Sequence, residues 1–237
     1  MIILAIDSSA VSASAALTKD GALLGEFYIR TRLTHSQTLM PMISDLLSRT
    51  QLKPGDIDLF AVSAGPGSFT GIRIGIASIK GLAMPEDKPC VGVSTLEAIA
   101  RNLAHLNCTV CAAMDARCQQ VYNAVFEADS GSLKRLTPDR AISMENLASE
   151  LKNCKKPIYV VGDGAELCYN SPWFAQTEAV LPPESLLYQR ASAVAEIAAE
   201  AYAQGRAVSP AALMPVYLRP AQAERALKKQ NGGVADK

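Results

Sequence analysis

Residues 59–83 read LFAVSAGPGSFTGIRIGIASIKGLA and carry the pattern that decides the fold. The apolar run at residues 59–62 has the length of a buried strand. A glycine turn follows, and Ser68 is a suitable N-cap because its hydroxyl can accept an amide hydrogen of a first helical turn. The stretch therefore predicts a strand, a turn and a helix N-terminus, a geometry that directs backbone N–H groups at whatever lies above it.

The predicted helix is apolar over more of its surface than one sheet can cover. Ile72, Ile76 and Ile79 share one face, and Gly71 and Gly75 lie on a neighbouring face. Glycine costs a helix about 1 kcal/mol relative to alanine, so two glycines one turn apart indicate close backbone approach. We expect burial on two sides, by the helix's own sheet and either by a partner or by another part of the same chain.

The composition limits the classes of function that the chain can have. The chain has 237 residues, 49% of them hydrophobic, which suffices for one large domain or two small ones. Lys+Arg and Asp+Glu number 23 each, so bulk charge gives no reason for direct binding of nucleic acid. The N-terminus lacks the basic region and cleavage site of a signal peptide, and no apolar run reaches membrane-spanning length. We expect a cytoplasmic protein with no membrane partner.

The chain repeats one plan faintly. A strand ends at Asp7, an Asp20–Gly21 turn predicts a hairpin, and strand–helix units follow. The second half again has a strand ending in aspartate, at Asp115, with a turn at residues 129–131 and a glycine ending at residues 162–164. This order predicts two copies of one ββ(β)αβα unit.

The glycine turn does not match the phosphate-binding or nucleophile loops. Ile72 and Arg73 stand where a Walker A loop needs Lys-Ser/Thr, and Thr70 occupies the third glycine position of a dinucleotide loop. Asp7 can be interpreted as a metal–water ligand or as a turn-capping carboxylate. The capping role is favoured because no lysine or second acid lies nearby in the sequence. Cys108 and Cys111 lie on a predicted strand, where a spacing of three places side chains on opposite faces, so buried thiols are favoured over a zinc site.

Six stretches, taken together and in order, resemble the TsaB (YeaZ-like) family of bacterial tRNA threonylcarbamoyladenosine biosynthesis proteins, which belongs to the actin-like ATPase superfamily. They are ILAIDSSAVSASAAL (3–17), THSQTLMPMI (34–43), SAGPGSFTGIRIGIASIKGLA (63–83), VGVSTLEAIA (91–100), AAMDAR (112–117) and MPVYLR (214–219). The resemblance implies an α/β chain of the actin-like ATPase (ribonuclease H-like) fold, with two lobes that each hold a mixed sheet flanked by helices.

The resemblance also implies a non-catalytic subunit. In that family's system the paralogue TsaD transfers a threonylcarbamoyl group from threonylcarbamoyl-adenylate to N6 of adenosine 37 in tRNAs that read codons beginning with A. The ATPase TsaE joins at the TsaB–TsaD junction. The implied partners are TsaD, TsaE and a second copy of the chain, with tRNA reached only through the complex. No cofactor of its own is implied, and ATP or ADP is expected only in the complex.

Members of the family pair through the N-terminal lobe, which assigns the partner to the helices that follow Thr34 and Ser68. The implied interface residues are Leu39, Met42, Ile43, Leu46, Gly71, Ile72, Gly75, Ile76 and Ile79. The residues of the glycine loop and its surroundings, where a nucleotide could lie close, are Asp7, Ser8, Ser9, Gly65, Gly67, Ser68, Thr70 and Arg73. TsaD holds a metal with a His-x3-His pair. The equivalent positions here are Thr95 and Ile99, which cannot replace imidazole ligands, so we expect neither a metal site nor catalytic residues.

The expected lobe boundaries follow the repeat. The N-terminal lobe is expected over residues 1–104, rejoined by residues 205–220, and the C-terminal lobe over residues 105–204. A long amphipathic helix is predicted over residues 186–204, and a polar, disordered tail over residues 221–237.

Two other classes of protein remain open. An ATP-dependent small-molecule kinase of the same fold would bind nucleotide by itself in a cleft around Asp7, Gly65 and Gly67. A peptidase would need metal ligands, or a serine beside His35 or His105, and no spacing in the sequence supports either arrangement.

Overall fold

The computed structural model describes residues 1–31, 33–154 and 156–219. The elements of the first half are β1 (Ile2–Asp7), β2 (Ala13–Lys19), β3 (Ala22–Ile29), α1 (His35–Thr50), β4 (Leu59–Gly65), α2 (Phe69–Ala83), β5 (Cys90–Ser94) and α3 (Thr95–Arg101). Those of the second half are β6 (Cys108–Asp115), β7 (Gln120–Asp129), β8 (Ser132–Arg135), β9 (Arg140–Ser143), α4 (Met144–Leu151), β10 (Ile158–Val161), α5 (Ala165–Tyr169) and α6 (Ala191–Ala203). The predicted tail and residue 220 lie outside the described residues.

Each half of the chain forms one mixed sheet. The first has the strand order β3–β2–β1–β4–β5, with antiparallel pairing from β3 to β1 and parallel pairing from β1 to β5. The second has the order β10–β6–β7–β8, and β9 also pairs with β7. In both sheets the first strand of the half lies between an antiparallel hairpin partner and a parallel strand that runs into a glycine, Gly65 at the end of β4 and Gly162 directly after β10, so the predicted repeat is confirmed.

The two sheets and the helices that pack on them form layers. Helices α1 and α2 cover one face of the first sheet, where Leu4, Ile6 and Phe60 contribute to the shared core. Helix α6 covers the opposite face of that sheet, and α3 packs both on α6 and on the second sheet. Helices α4 and α5 cover the far face of the second sheet. The α/β class with two mixed sheets flanked by helices, expected from the resemblance, is confirmed.

Helix α6 differs from the prediction in its start and its neighbours. It begins at Ala191 rather than at residue 186, because residues 184–186 form a short 3₁₀ turn and Arg190 is extended. Glu26 of β3 fixes this start, since its carboxylate accepts hydrogen bonds from the Ser192 amide at 3.0 Å and from Arg190 Nη2 at 2.6 Å. The helix buries its apolar side on the first sheet, whereas the sequence assigns residues up to 204 to the C-terminal lobe.

No helix in the described part of the chain combines the length and apolar character needed to cross a bilayer.

Candidate functional site

The glycine loop between β4 and α2 has the geometry that its sequence predicts. The strand ends at Gly65 and the helix begins at Phe69. Ser68 caps the helix, because its hydroxyl oxygen accepts a hydrogen bond from the Gly71 amide at 3.3 Å. The N-terminus of α2 therefore faces the space between the two lobes.

The loop's glycines are required because other backbone of the same chain passes against them. Gly65 has φ +130°, and a Cβ there would lie 2.2 Å from the carbonyl oxygen of Val216. A Cβ at Gly67 would lie 2.4 Å from the carbonyl oxygen of Ser9. The same Ser9 oxygen accepts a hydrogen bond from the Ser68 amide at 2.6 Å. This loop amide therefore serves the chain's own packing rather than an open phosphate cradle.

Asp7 lies beneath this loop and is fully buried. Its Oδ1 accepts hydrogen bonds from the amide and the hydroxyl of Ser9, both at 2.9 Å, so the carboxylate caps the turn that follows β1. Its Oδ2 has no hydrogen-bond partner within the described chain, and neither have Ser63 Oγ and Gln189 Oε1. Burial raises the pKa of Asp7, and polar contacts with Ser63, Ser9 and Gln189 offset part of that rise. Burial thus favours the neutral acid over the carboxylate more than water does.

A cleft of about 590 Å³ opens between the two lobes above the loop. It is lined by residues 9–11, 66–70, 114–117, 122, 163 and 216–219. Its acidic groups are Asp115 and Asp163, and Asp163 Oδ1 accepts a hydrogen bond from the Asp115 amide at 3.3 Å. Burial and the neighbouring Asp115 charge raise the pKa of Asp163 to about 6, while Arg117 acts in the opposite direction. Arg117 itself pairs with Asp115 at 3.2 Å.

The positions equivalent to the family's metal ligands do not fit a metal. Thr95 and Ile99 are both fully buried in the interior of the chain. Neither offers an imidazole nitrogen, and no group of three or more His, Cys, Asp or Glu side chains in the described ranges is arranged to hold a metal ion. Cys108 and Cys111 face opposite sides of β6, where each joins a different hydrophobic cluster, as their spacing predicts.

The nine residues predicted as an interface are all buried inside the chain itself. They are Leu39, Met42, Ile43, Leu46, Gly71, Ile72, Gly75, Ile76 and Ile79. The large side chains fill the core between the first sheet and helices α1 and α2. The two glycines face Ser8, which would lie 2.0 Å from a Cβ at Gly71 and 2.6 Å from one at Gly75. These nine residues are therefore core residues of the chain itself, and their periodicity marks the inward stripe of each helix.

A different set of residues forms the outer face of α1 and α2, the surface that these two adjacent helices turn away from the sheet. Its exposed members include Met40 and Ser44 of α1 and Ala77 and Gly81 of α2, and Ile74 is half-buried beside them. These side chains are small or apolar, while the exposed charged residues of the two helices are Asp45 and Arg49 of α1 and Arg73 of α2. The remaining predicted loop residues, Ser8, Thr70 and Arg73, lie close to the N-terminal half of α2, where Ser8 Oγ donates to the Gly71 carbonyl at 2.8 Å.

Comparison with known proteins agrees with this architecture. A family model described as TsaD, tRNA N6-adenosine threonylcarbamoyltransferase, matches residues 30–227. The tRNA threonylcarbamoyladenosine biosynthesis protein TsaB of Escherichia coli is 33% identical over 92% of this chain and 95% of its own length. TsaB of Bacillus subtilis is 33% identical over 70% of this chain and 73% of its own length. The structure of YeaZ from Pseudomonas aeruginosa superposes with a TM-score of 0.80 at 29% identity, covering 92% of this chain and 99% of that one.

Proposed function

The chain belongs to the TsaB family of tRNA threonylcarbamoyladenosine biosynthesis proteins, and we propose that it acts there as a non-catalytic subunit that binds and supports TsaD together with TsaE. The observation that carries this proposal is the outer face of α1 and α2. Small and apolar side chains there allow another chain's backbone to approach closely. An interface of standard size buries roughly 800 Å² on each partner, which two adjacent helices of this length can supply.

The chemistry of the buried positions and of the glycine loop supports a non-catalytic role. Thr95 and Ile99 supply no metal ligand, and Asp7 is engaged in capping its own turn. The amide of Ser68 bonds to Ser9, so the glycine loop contributes structure rather than a free anion site. We infer that the transfer reaction takes place on the TsaD partner and that tRNA contacts this chain only through the complex.

Nucleotide binding separates this proposal from the kinase alternative. The proposal expects ATP or ADP only in the assembled complex, because backbone of the same chain packs against the glycine loop. Titration of the isolated chain with ATP and magnesium in a calorimeter should give no heat of binding. Micromolar binding by the lone chain would favour the kinase.

Reconstitution of tRNA threonylcarbamoylation tests the proposed function itself. TsaD, TsaE, tRNA and threonylcarbamoyl-adenylate are combined with and without this chain, and the modified nucleoside is measured over time. The proposal expects modification to depend on the chain. A reaction that runs at full rate without it would contradict the subunit role.

A further inference from the structure

The C-terminal strap, residues 209–219, runs along the first lobe to the mouth of the cleft. Val208, just before it, exchanges backbone hydrogen bonds with Cys90 of β5 at 2.8 and 2.9 Å. Along the strap, Lys80 Nζ of α2 donates to the Ala211 carbonyl at 3.1 Å. The Val216 amide then donates to the Ala64 carbonyl at 2.8 Å. The strap is thus attached to the N-terminal lobe at successive points and passes directly over the glycine loop.

The end of the strap is held on α2 by an aromatic and cationic cluster. The rings of Tyr217 and Phe69 stack with centroids 4.5 Å apart. Arg73 Nε donates to the Tyr217 hydroxyl at 2.9 Å, and its guanidinium lies 3.9 Å from the centroid of the Phe69 ring. Tyr217 and Val216 nevertheless remain exposed. Leu213 is buried in the core of the first lobe and anchors the strap there. Residues 214–219, which follow it, are seated mainly by surface contacts, and a segment of this kind can detach without opening the core.

The last described residue of the strap reaches the other lobe. Arg219 Nη1 donates a hydrogen bond to the Ala116 carbonyl at 2.9 Å. Three consecutive residues follow Ala116 in the left-handed region, Arg117, Cys118 and Gln119, with φ values of 65°, 55° and 57°. Residues other than glycine adopt this conformation at a cost in free energy, so surrounding contacts must hold it. The Arg219 contact is one of them.

We propose that the end of the C-terminal strap, residues 214–219, is a releasable clasp on the interlobe cleft. While Tyr217 and Arg219 are seated, this end joins the two lobes, forms one wall of the cleft and holds residues 117–119 in their left-handed conformation. When it detaches, the cleft opens on that side and the loop relaxes. The clasp thereby controls access to the cleft.

Hydrogen–deuterium exchange of the full chain tests the coupling that the clasp requires. Tyr217 contacts α2 in the first lobe, whereas Arg219 contacts Ala116 in the second. If the two contacts act together as a clasp, Tyr217→Ala should also loosen the loop at residues 116–119, which Tyr217 itself does not touch through its contacts on α2. Exchange of the peptide that covers residues 115–121 should become about fivefold faster in both Tyr217→Ala and Arg219→Gln, as loss of one hydrogen bond's net stabilisation would produce. Tyr217→Phe, which keeps the stack, should show a smaller effect than Tyr217→Ala.

Arg206→Gln is the matched control, because Arg206 is exposed and its guanidinium, among the described residues, bonds to Gln204 alone, at 3.0 Å. It should leave exchange of the loop unchanged. Slow exchange of the β1 amides shows that a variant is folded. If Tyr217→Ala is not folded by this criterion, Tyr217→Leu takes its place. Wild-type exchange of residues 115–121 in a folded Tyr217 variant would overturn the clasp.

Discussion

At the scale of single residues, the buried carboxylate of Asp7 links stability to pH. One of its oxygens caps a turn, while the other has no hydrogen-bond partner among the described residues, and neither have the nearby Ser63 hydroxyl and Gln189 amide oxygen. Because burial raises its pKa, the folded protein binds this proton more tightly than the unfolded chain does. Its contribution to stability is therefore greatest at low pH and declines as the pH rises above the unfolded value.

Asp7→Asn should consequently stabilise the chain in mildly alkaline solution. The amide keeps an oxygen for Ser9 and offers N–H groups to Ser63 and Gln189, which lack partners. Giving such buried groups a hydrogen bond should raise the free energy of unfolding by about 1–3 kcal/mol. This gain in stability should shrink in acid, where the wild-type Asp7 is neutral. Urea unfolding in acidic and alkaline buffers measures it. Asp20→Asn is the control and should change stability in the opposite direction, because the N-terminal ammonium favours the charged form of Asp20 and lowers its pKa. A gain at Asp7 that is independent of pH would contradict this account.

Asp163 should titrate near pH 6 in the folded protein. Burial is the main cause and the Asp115 charge adds to it, whereas Arg117 lowers the pKa. Arg117→Gln should therefore move the titration upward and Asp115→Asn should move it downward. NMR titration of the aspartate carboxyl carbons measures all three proteins. A midpoint of Asp163 near the ordinary aspartate value would show that the cleft is wetter than the structure indicates.

The sequence predicts the roles of residues that act on their own element, but it does not predict which residues distant in the chain come into contact. Ser68 was predicted as an N-cap because the cap contacts its own helix. The spacing of Gly71 and Gly75 predicted close approach, but Ser8 lies far away in the sequence, and spacing cannot identify such a neighbour. In the sequence Asp163 stands only within a glycine ending, and nothing there indicates its shifted pKa, which arises from burial in the fold.

At the scale of elements, α2 contains a matched pair of glycine positions. A Cβ at Gly71 would collide with the Ser8 carbonyl oxygen at 2.0 Å, whereas no atom lies within 4 Å of one at Gly81. Gly71→Ala should therefore destabilise the chain by about 1–3 kcal/mol through overpacking. Gly81→Ala should stabilise it by about 0.5–1 kcal/mol, because alanine favours the helix. Thermal unfolding of both variants provides the measurement, and equal effects would contradict the packing of α2 on Ser8.

Element types were predictable where periodicity is strong, and their ends were not. The strands of the first sheet and helices α1, α2 and α4 follow from apolar patterns and capping residues. Helix α6 is apolar over much of its surface, so its pattern gives no clear start. Its first turn is fixed by Glu26, which lies on the third strand of the chain.

At the scale of the whole molecule, the lobes share elements that the sequence assigns to separate halves. The chain returns to the first lobe twice, through α6 and through the strap. Periodicity could not show the return through α6, because it identifies which side of a helix is apolar but not which sheet covers it. The same limit explains why the predicted interface residues proved to be core residues.

Self-association should depend on the outer face of α1 and α2. Ala77→Arg places a long charged side chain at an exposed position of α2, so it should yield a folded monomer if a second copy docks there. Ser149→Arg, at an exposed position of α4, is the control and should leave the oligomeric state unchanged. Size-exclusion chromatography with light scattering measures both. The same mass for Ala77→Arg and wild type would reject this face as the site of self-association.

The most direct test of the central claim is to reconstitute tRNA threonylcarbamoylation with TsaD and TsaE and to replace the wild-type chain by Ala77→Arg or Ser149→Arg. The measured quantity is the rate of modification. The account predicts that Ala77→Arg lowers the rate to that of a reaction without the chain, while Ser149→Arg sustains the full rate. Full activity with Ala77→Arg would show that the outer face of α1 and α2 is not where this subunit supports its partner.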